Sequence, residues 1–197
     1  ISENDIGTIK MEVQRNEPPK NNFLQKVRDL ATEKGIVLIF DECTSGFRET
    51  FGGLHAKYNV NPDIVMYGKA LGNGYAITAV VGVKEVMEAA QSSFISSTFW
   101  TERIGPSAAL ASLEEMEKLH AWEVISRKGR TIKERWKDLS NAYDIDINLF
   151  GLDALSAFSF NHSDNLKYKT FLTQEMLKKG FLASNSIYVC IEHTDDL

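Results

Sequence analysis

Two side chains stand where reactive chemistry would need them. Asp41 closes the apolar run Ile36-Val-Leu-Ile-Phe40, and Lys69 follows the run Ile64-Val-Met-Tyr67 after one glycine. Such runs, bounded by turn signals, read as strands buried on both faces of a parallel sheet. Ligands of open parallel sheets bind beyond the C-terminal strand ends, where both residues would sit. A lysine amine condenses with an aldehyde, and a carboxylate keeps a pyridine nitrogen protonated so that the ring draws electrons. Asp41 and Lys69 therefore suit pyridoxal 5′-phosphate. They equally suit a structural ion pair, and position alone does not separate the two.

The elements around them alternate. Ile6–Val13 has the alternation of a strand, and Pro18-Pro19 break it. Asn21 or Asn22 can cap a helix to about Lys34 that puts Phe23, Leu24, Val27, Leu30 and Ala31 on one face, with Gly35 as its stop. After the Asn61-Pro62-Asp63 loop and the second buried strand, a Gly72/Gly74 turn leads into strand-like Ala76–Val83 and a short helix, Lys84–Ala90. Gly105-Pro106 opens a helical stretch to about Ser126, and a further helix is expected over Thr131–Tyr143 with Trp136 and Leu139 inward. Beyond Asp144, alternating Leu155–Phe160, amphipathic Leu166–Lys179 and alternating Phe181–Ile191 read as a smaller strand–helix–strand unit. The fold class is α/β: a mostly parallel, helix-covered sheet over residues 1–143, then a small α/β domain over 144–197.

Of the 197 residues, 43% are hydrophobic and 25% charged, which is ordinary for a soluble domain with one sizeable core. The net charge of −5 gives no electrostatic reason to expect nucleic acid or an anionic membrane as partner, and no apolar run is long enough to span a bilayer. Two cysteines, Cys43 and Cys190, form no CxxC pair, so a reducing cytoplasm is the expected location. The four histidines show no metal-ligand spacing, and no metal is expected. Gly68-Lys69 is not a P-loop, because Asp63 and Ala70 occupy positions that need Gly and Ser/Thr. The chain opens at Ile1 without an initiator Met and stops at Asp195-Asp196-Leu197 right after a strand-like pattern, as a piece of a longer protein would.

The flanking residues carry a resemblance. IFDECTSGFR over Ile39–Arg48 resembles the "hydrophobic-DE-V-x-T-G-F-R" segment of class-III pyridoxal-phosphate enzymes. PDIVMYGKALGNG over Pro62–Gly74 is similar to their lysine segment, and the spacing (69 − 41 = 28) fits. TERIGP over Thr101–Pro106 resembles the family's "T-x-S-G-x-P" loop, and glutamate-1-semialdehyde aminomutase-like aminotransferases are the nearest named group. The resemblance implies a fold-type-I aminotransferase, active as a homodimer with its site at the interface. It would act on an amino-acid or amino-sugar-like amine donor and a carbonyl acceptor. It also implies roles: Lys69 as the Schiff-base lysine and proton carrier, Asp41 on the pyridinium nitrogen, Cys43 against one face of the ring, Thr44 beside the ring hydroxyl, and Thr101 on the phosphate of the neighbouring subunit. Glu12 falls in the family's "EP" strand, with Val13 in place of the proline.

The departures bear on function. Cys43 replaces a valine, and Glu102-Arg103-Ile104 replaces a short polar segment. The family's phosphate-cradling Gly-Ser/Thr loop and ring-stacking aromatic are expected upstream of Ile1. Two alternatives to transamination stand beside it: an aminomutase running the same half-reactions on one substrate, and a non-catalytic relative. Arg48 and Arg103 read as structural ion pairs or as binders of a substrate carboxylate. Cys190 reads as a small buried hydrophobe and Arg127–Lys137 as a solvated helix face.

Overall fold

The structure, a computed structural model, describes residues 6–99 and 101–194; Ile1 and the terminal Asp195-Asp196-Leu197 lie outside them. Four short strands make the first sheet: β1 (Thr8–Met11), β2 (Val37–Asp41), β3 (Ile64–Tyr67) and β4 (Ala79–Gly82), in that spatial order. β1, β2 and β3 run parallel, and β4 returns antiparallel to β3. The apolar run before Asp41 explains the central position of β2: Leu38 and Phe40 are fully buried. Helix α1 (Phe23–Lys34) packs on β2 and buries Leu24 and Ala31. It stops at Gly35, whose φ of +67° lies in the left-handed region that glycine enters without a Cβ penalty.

Asp63 ties three of these elements together. Its Oδ2 accepts the Leu38 N–H at 2.7 Å and the Arg28 guanidinium at 2.9 Å, while its own N–H donates to the Leu38 carbonyl at 2.8 Å. The aspartate of the Pro62-Asp63 pair thus joins α1, the start of β2 and the start of β3, and so sets the level at which both strand ends emerge.

The chain forms two compact units, Ile1–Leu119 and His120–Leu197. The first also holds α2 (Lys84–Met87) and α3 (Ile104–Leu119). The second holds α4 (Ala121–Ala142), the antiparallel pair β5 (Ile147–Phe150) and β6 (Ala157–Phe160), and α5 (Asn165–Lys178). Its core gathers Ile125, Ala154 and Val189, with Ile132, Ile187 and Ile191 packed on it. Because α4 packs on the turn Asp153–Leu155, it belongs with the second unit, which begins at His120.

Other details also differ from the sequence-based expectations. The long helical stretch breaks at His120, which is left-handed at φ +47°, and α4 then runs unbroken where the sequence predicts the end of one helix and the start of another. Trp136 packs edge-on against Phe158 at 4.9 Å as expected, but Leu139 is exposed. Asn22 precedes α1 without a side-chain cap hydrogen bond, because it is itself left-handed at φ +56°. The alternating segment Phe181–Ile191 is no regular strand. It follows the 154–158 stretch through three spaced backbone hydrogen bonds, including Ile187 N–H to Ser156 O and Val189 N–H to Ala154 O. Cys190 is exposed, not buried, since its neighbour Val189 takes the inward position.

The closest approach in the second unit rests on Gly129. A Cβ placed there would sit 1.8 Å from the Asp153 carbonyl oxygen. Helix propensity alone favours Gly→Ala by about 1 kcal/mol. The clash is with backbone, which cannot swing away, so overpacking outweighs that gain. Gly129→Ala is expected to destabilise the unit by about 2 kcal/mol, measured as a lowered urea midpoint.

Candidate active site

The C-terminal ends of β2 and β3 bring four of the five expected residues together. β2 ends on Asp41, and the chain then turns through Glu42, Cys43 and Thr44. β3 ends on Tyr67, and Gly68 and Lys69 follow directly. Lys69 Nζ donates to Thr44 Oγ1 at 2.9 Å, which links the two strand ends through a neutral hydroxyl. Lys69 is exposed, and its φ of +44° is a conformation that non-glycine residues pay to adopt. Gly68 leaves room for this turn: a Cβ there would lie 3.3 Å from Cys43 Sγ and 3.4 Å from Thr78 Cγ2.

Asp41 is partly covered and held from two sides. Oδ2 pairs with Lys10 Nζ at 2.7 Å, and Oδ1 accepts the Cys43 N–H at 3.2 Å. The hydrogen bond from Lys10 is the main reason its carboxyl is held below the usual carboxylate range, and the Cys43 N–H adds to it. The Lys10 ammonium is raised in turn, chiefly by the same hydrogen bond, so both partners agree in direction. Cys43 is a free thiol that burial pushes up, with the neighbouring Asp41 acting in the same direction. A shift in that direction lowers the thiolate fraction on which nucleophilicity depends.

Glu42, next to Asp41, points the other way and is fully buried. Its carboxylate takes the Ser45 hydroxyl at 3.1 Å, the Leu54 N–H, the His55 N–H at 3.0 Å and His55 Nδ1 at 2.6 Å. One carboxylate therefore fixes both ends of the loop from Ser45 to His55, and with it the turn that presents Cys43 and Thr44. Gly46 is needed inside this turn, because a Cβ would meet both the Glu42 carbonyl and the Tyr67 ring at 2.8 Å. Tyr67 packs against Phe47 at 5.1 Å, and its hydroxyl is pushed up to about 12 by burial.

Thr101 comes from a different part of the chain, just ahead of α3. It is exposed in the turn there, and no hydrogen bond joins it to the other four among the described residues. The neighbouring Glu102, one of the departures from the family pattern, has a local role: its carboxylate accepts the Ile104 N–H at 2.6 Å and the Gly105 N–H at 3.2 Å, capping α3. Among the described residues no group of three His, Cys, Asp or Glu could hold a metal ion, and no helix is long and apolar enough to cross a membrane. Lys10 and Glu42 join the expected residues at this site. A charged residue directly after Asp41 was a visible signal for Glu42, whereas Lys10 needed the pairing of β1 with β2.

Comparison with known proteins gives consistent findings. Residues 16–191 match the family model described as aminotransferase class-III. The chain is 34% identical over 184 residues to 3-aminobutyryl-CoA aminotransferase of Cloacimonas acidaminovorans, covering 90% of this chain and 44% of that protein. It is 32% identical to glutamate-1-semialdehyde 2,1-aminomutase of Hyperthermus butylicus, covering 91% and 46%. The chain thus spans less than half the length of these curated relatives. Among solved structures, the FumI protein of Sphingopyxis sp. MTA144 in its PLP internal aldimine form superimposes with a TM-score of 0.91 at 21% identity, over 98% of this chain and 49% of that one.

Two outcomes follow from the geometry. Glu42→Ala leaves the Leu54 and His55 N–H groups buried without an acceptor, so a loss of about 3 kcal/mol is expected in urea unfolding. For Asp41 the folded value lies below its ordinary 3.8, so its ion pair stabilises the fold above 3.8 and ceases to do so as pH falls through the depressed folded value. The urea midpoints of wild type and Asp41→Asn should therefore differ at neutral pH and converge in acid below 3.8.

Proposed function

Because the chain belongs to the class-III aminotransferase family, we propose that the protein transfers an amino group from an amine donor to a carbonyl acceptor with pyridoxal 5′-phosphate held at Lys69. The observation that carries this reading is the pairing of two unlike groups at adjacent strand ends: an exposed amine that, among the described residues, bonds to a hydroxyl, and a carboxylate held below its usual range. That donor set fits the group, since its aldehyde needs a primary amine and its ring nitrogen an anionic partner. When bound, the cofactor supplies an acceptor for the amino group and a ring that draws electrons from the carbon losing its proton.

The residues of this chain would divide the remaining work. Lys69 would hold the cofactor and carry the proton between donor and acceptor positions, steered by Thr44. Asp41 would face the ring nitrogen, its orientation set by the Cys43 N–H and by Lys10. Cys43 would pack on the ring and Thr44 would stand beside the ring hydroxyl. Thr101, exposed ahead of α3, would reach the phosphate held by the other subunit of a homodimer. An amino-acid or amino-sugar-like donor remains the proposed substrate class. Both cysteines are free thiols, which accords with a reducing compartment such as the cytoplasm.

The full-length protein should show the visible absorption of a lysine-bound cofactor. Lys69→Ala is expected to lose that band, and Asp41→Ala to keep it while turnover falls by about 10²–10⁴-fold. A normal band in Lys69→Ala would sink the assignment. Product formed from a single substrate without added acceptor would mark the aminomutase form of the same chemistry.

A further inference from the structure

Lys10 has no part in the resemblance, yet it holds the residue on which the proposed chemistry turns. It stands on β1 opposite Ile39 of β2. Asp41 lies two residues beyond Ile39, on the same face of the sheet, so Lys10 reaches diagonally across the ladder to bring Nζ within 2.7 Å of Oδ2. With the Cys43 N–H on Oδ1, both oxygens of the carboxylate have a partner within the chain. The Lys10 side chain is half exposed, at 52%, so the pair adds only modestly to stability. Its consequence is electrostatic: a cation is fixed on the carboxylate that would neutralise a ring nitrogen. Among the described residues, Lys10 from β1 and Cys43 after β2 act on Asp41 directly, while Glu12 acts on Lys10 and Lys69, after β3, acts on Cys43.

We propose that Lys10 is a positioning residue: it pins Asp41 Oδ2 and draws part of that carboxylate's charge away from the ring nitrogen, so the ring holds its proton less tightly than it would beside a lone carboxylate. The inference rests on the cofactor reading above. Its physical basis is that an opposite charge favours the protonated nitrogen, while a like charge close by disfavours it. The lowered Asp41 carboxyl and the raised Lys10 ammonium accord with a pair that stays ionised on both sides.

The test loads full-length protein with cofactor labelled with ¹⁵N in the ring and follows the nitrogen shift against pH in wild type, Lys10→Met and Lys10→Arg. Lys10→Arg should titrate with wild type, because it keeps the charge. In Lys10→Met the ring nitrogen should keep its proton to higher pH, by about one unit. Superimposable titrations of wild type and Lys10→Met would overturn the proposal. A second measurement needs no cofactor: in apoprotein with ¹³C-labelled aspartate, the Asp41 carboxyl should move up toward the ordinary range in Lys10→Met, and an unmoved carboxyl would also overturn it. Wild type that takes up no cofactor would refute the parent reading instead, and leave the apoprotein result to decide the Lys10–Asp41 coupling.

Discussion

The buried carboxylate of Glu42 is the constraint on which the site depends. A carboxylate with no exposure survives only if its oxygens are filled, and here a hydroxyl, two backbone N–H groups and an imidazole fill them. Those donors come from both ends of the Ser45–His55 segment that follows β2. The loop cannot drift without exposing an unsatisfied charge to an apolar interior. The adjacent Asp41 therefore leaves the strand in a fixed direction, and Cys43 and Thr44 follow on a turn whose far side is already anchored. Two neighbouring acids thus have opposite fates: one spends its charge on architecture, the other keeps it at the surface.

The same division of labour recurs along β3. Asp63 locks the start of the strand to Leu38 and Arg28, while its end opens through Gly68 into a lysine held at a positive φ. Rigid hydrogen bonding at one end makes a strained conformation sustainable at the other. The Tyr67 ring at that end packs against Phe47, and burial raises its hydroxyl to about 12.

The parts of the molecule set by short-range physics were legible in the amino-acid sequence. The apolar runs before Asp41 and before Gly68-Lys69 announced two strands of a parallel sheet, and Gly35 announced the end of α1. The reading failed where geometry depends on partners far along the chain. Nothing between Met116 and Ser126 carries a helix-breaking proline or glycine, so the left-handed turn at His120 gave no local signal. Phe181–Ile191 has the alternation of a strand, but alternation reports which side faces inward, not whether a continuous partner edge exists. Lys10 was hidden for a related reason: period-two reasoning puts it on the same face as Glu12, but only the register with β2 brings it to Asp41.

The antiparallel return of β4 has a bearing on the cost of presenting the lysine. Tyr67 pairs with Ala79, whereas Ile39 pairs with Ile64 and Thr8 with Val37, so the connection that carries Lys69 spans fewer than half the residues of either parallel crossover. The entropy lost in closing a loop grows with the logarithm of its length, and each halving saves about 0.6 kcal/mol. Lys69 therefore rides on the shortest closure in the sheet. The strained φ of Lys69 is borne by the segment that gave up the least chain freedom to reach its place.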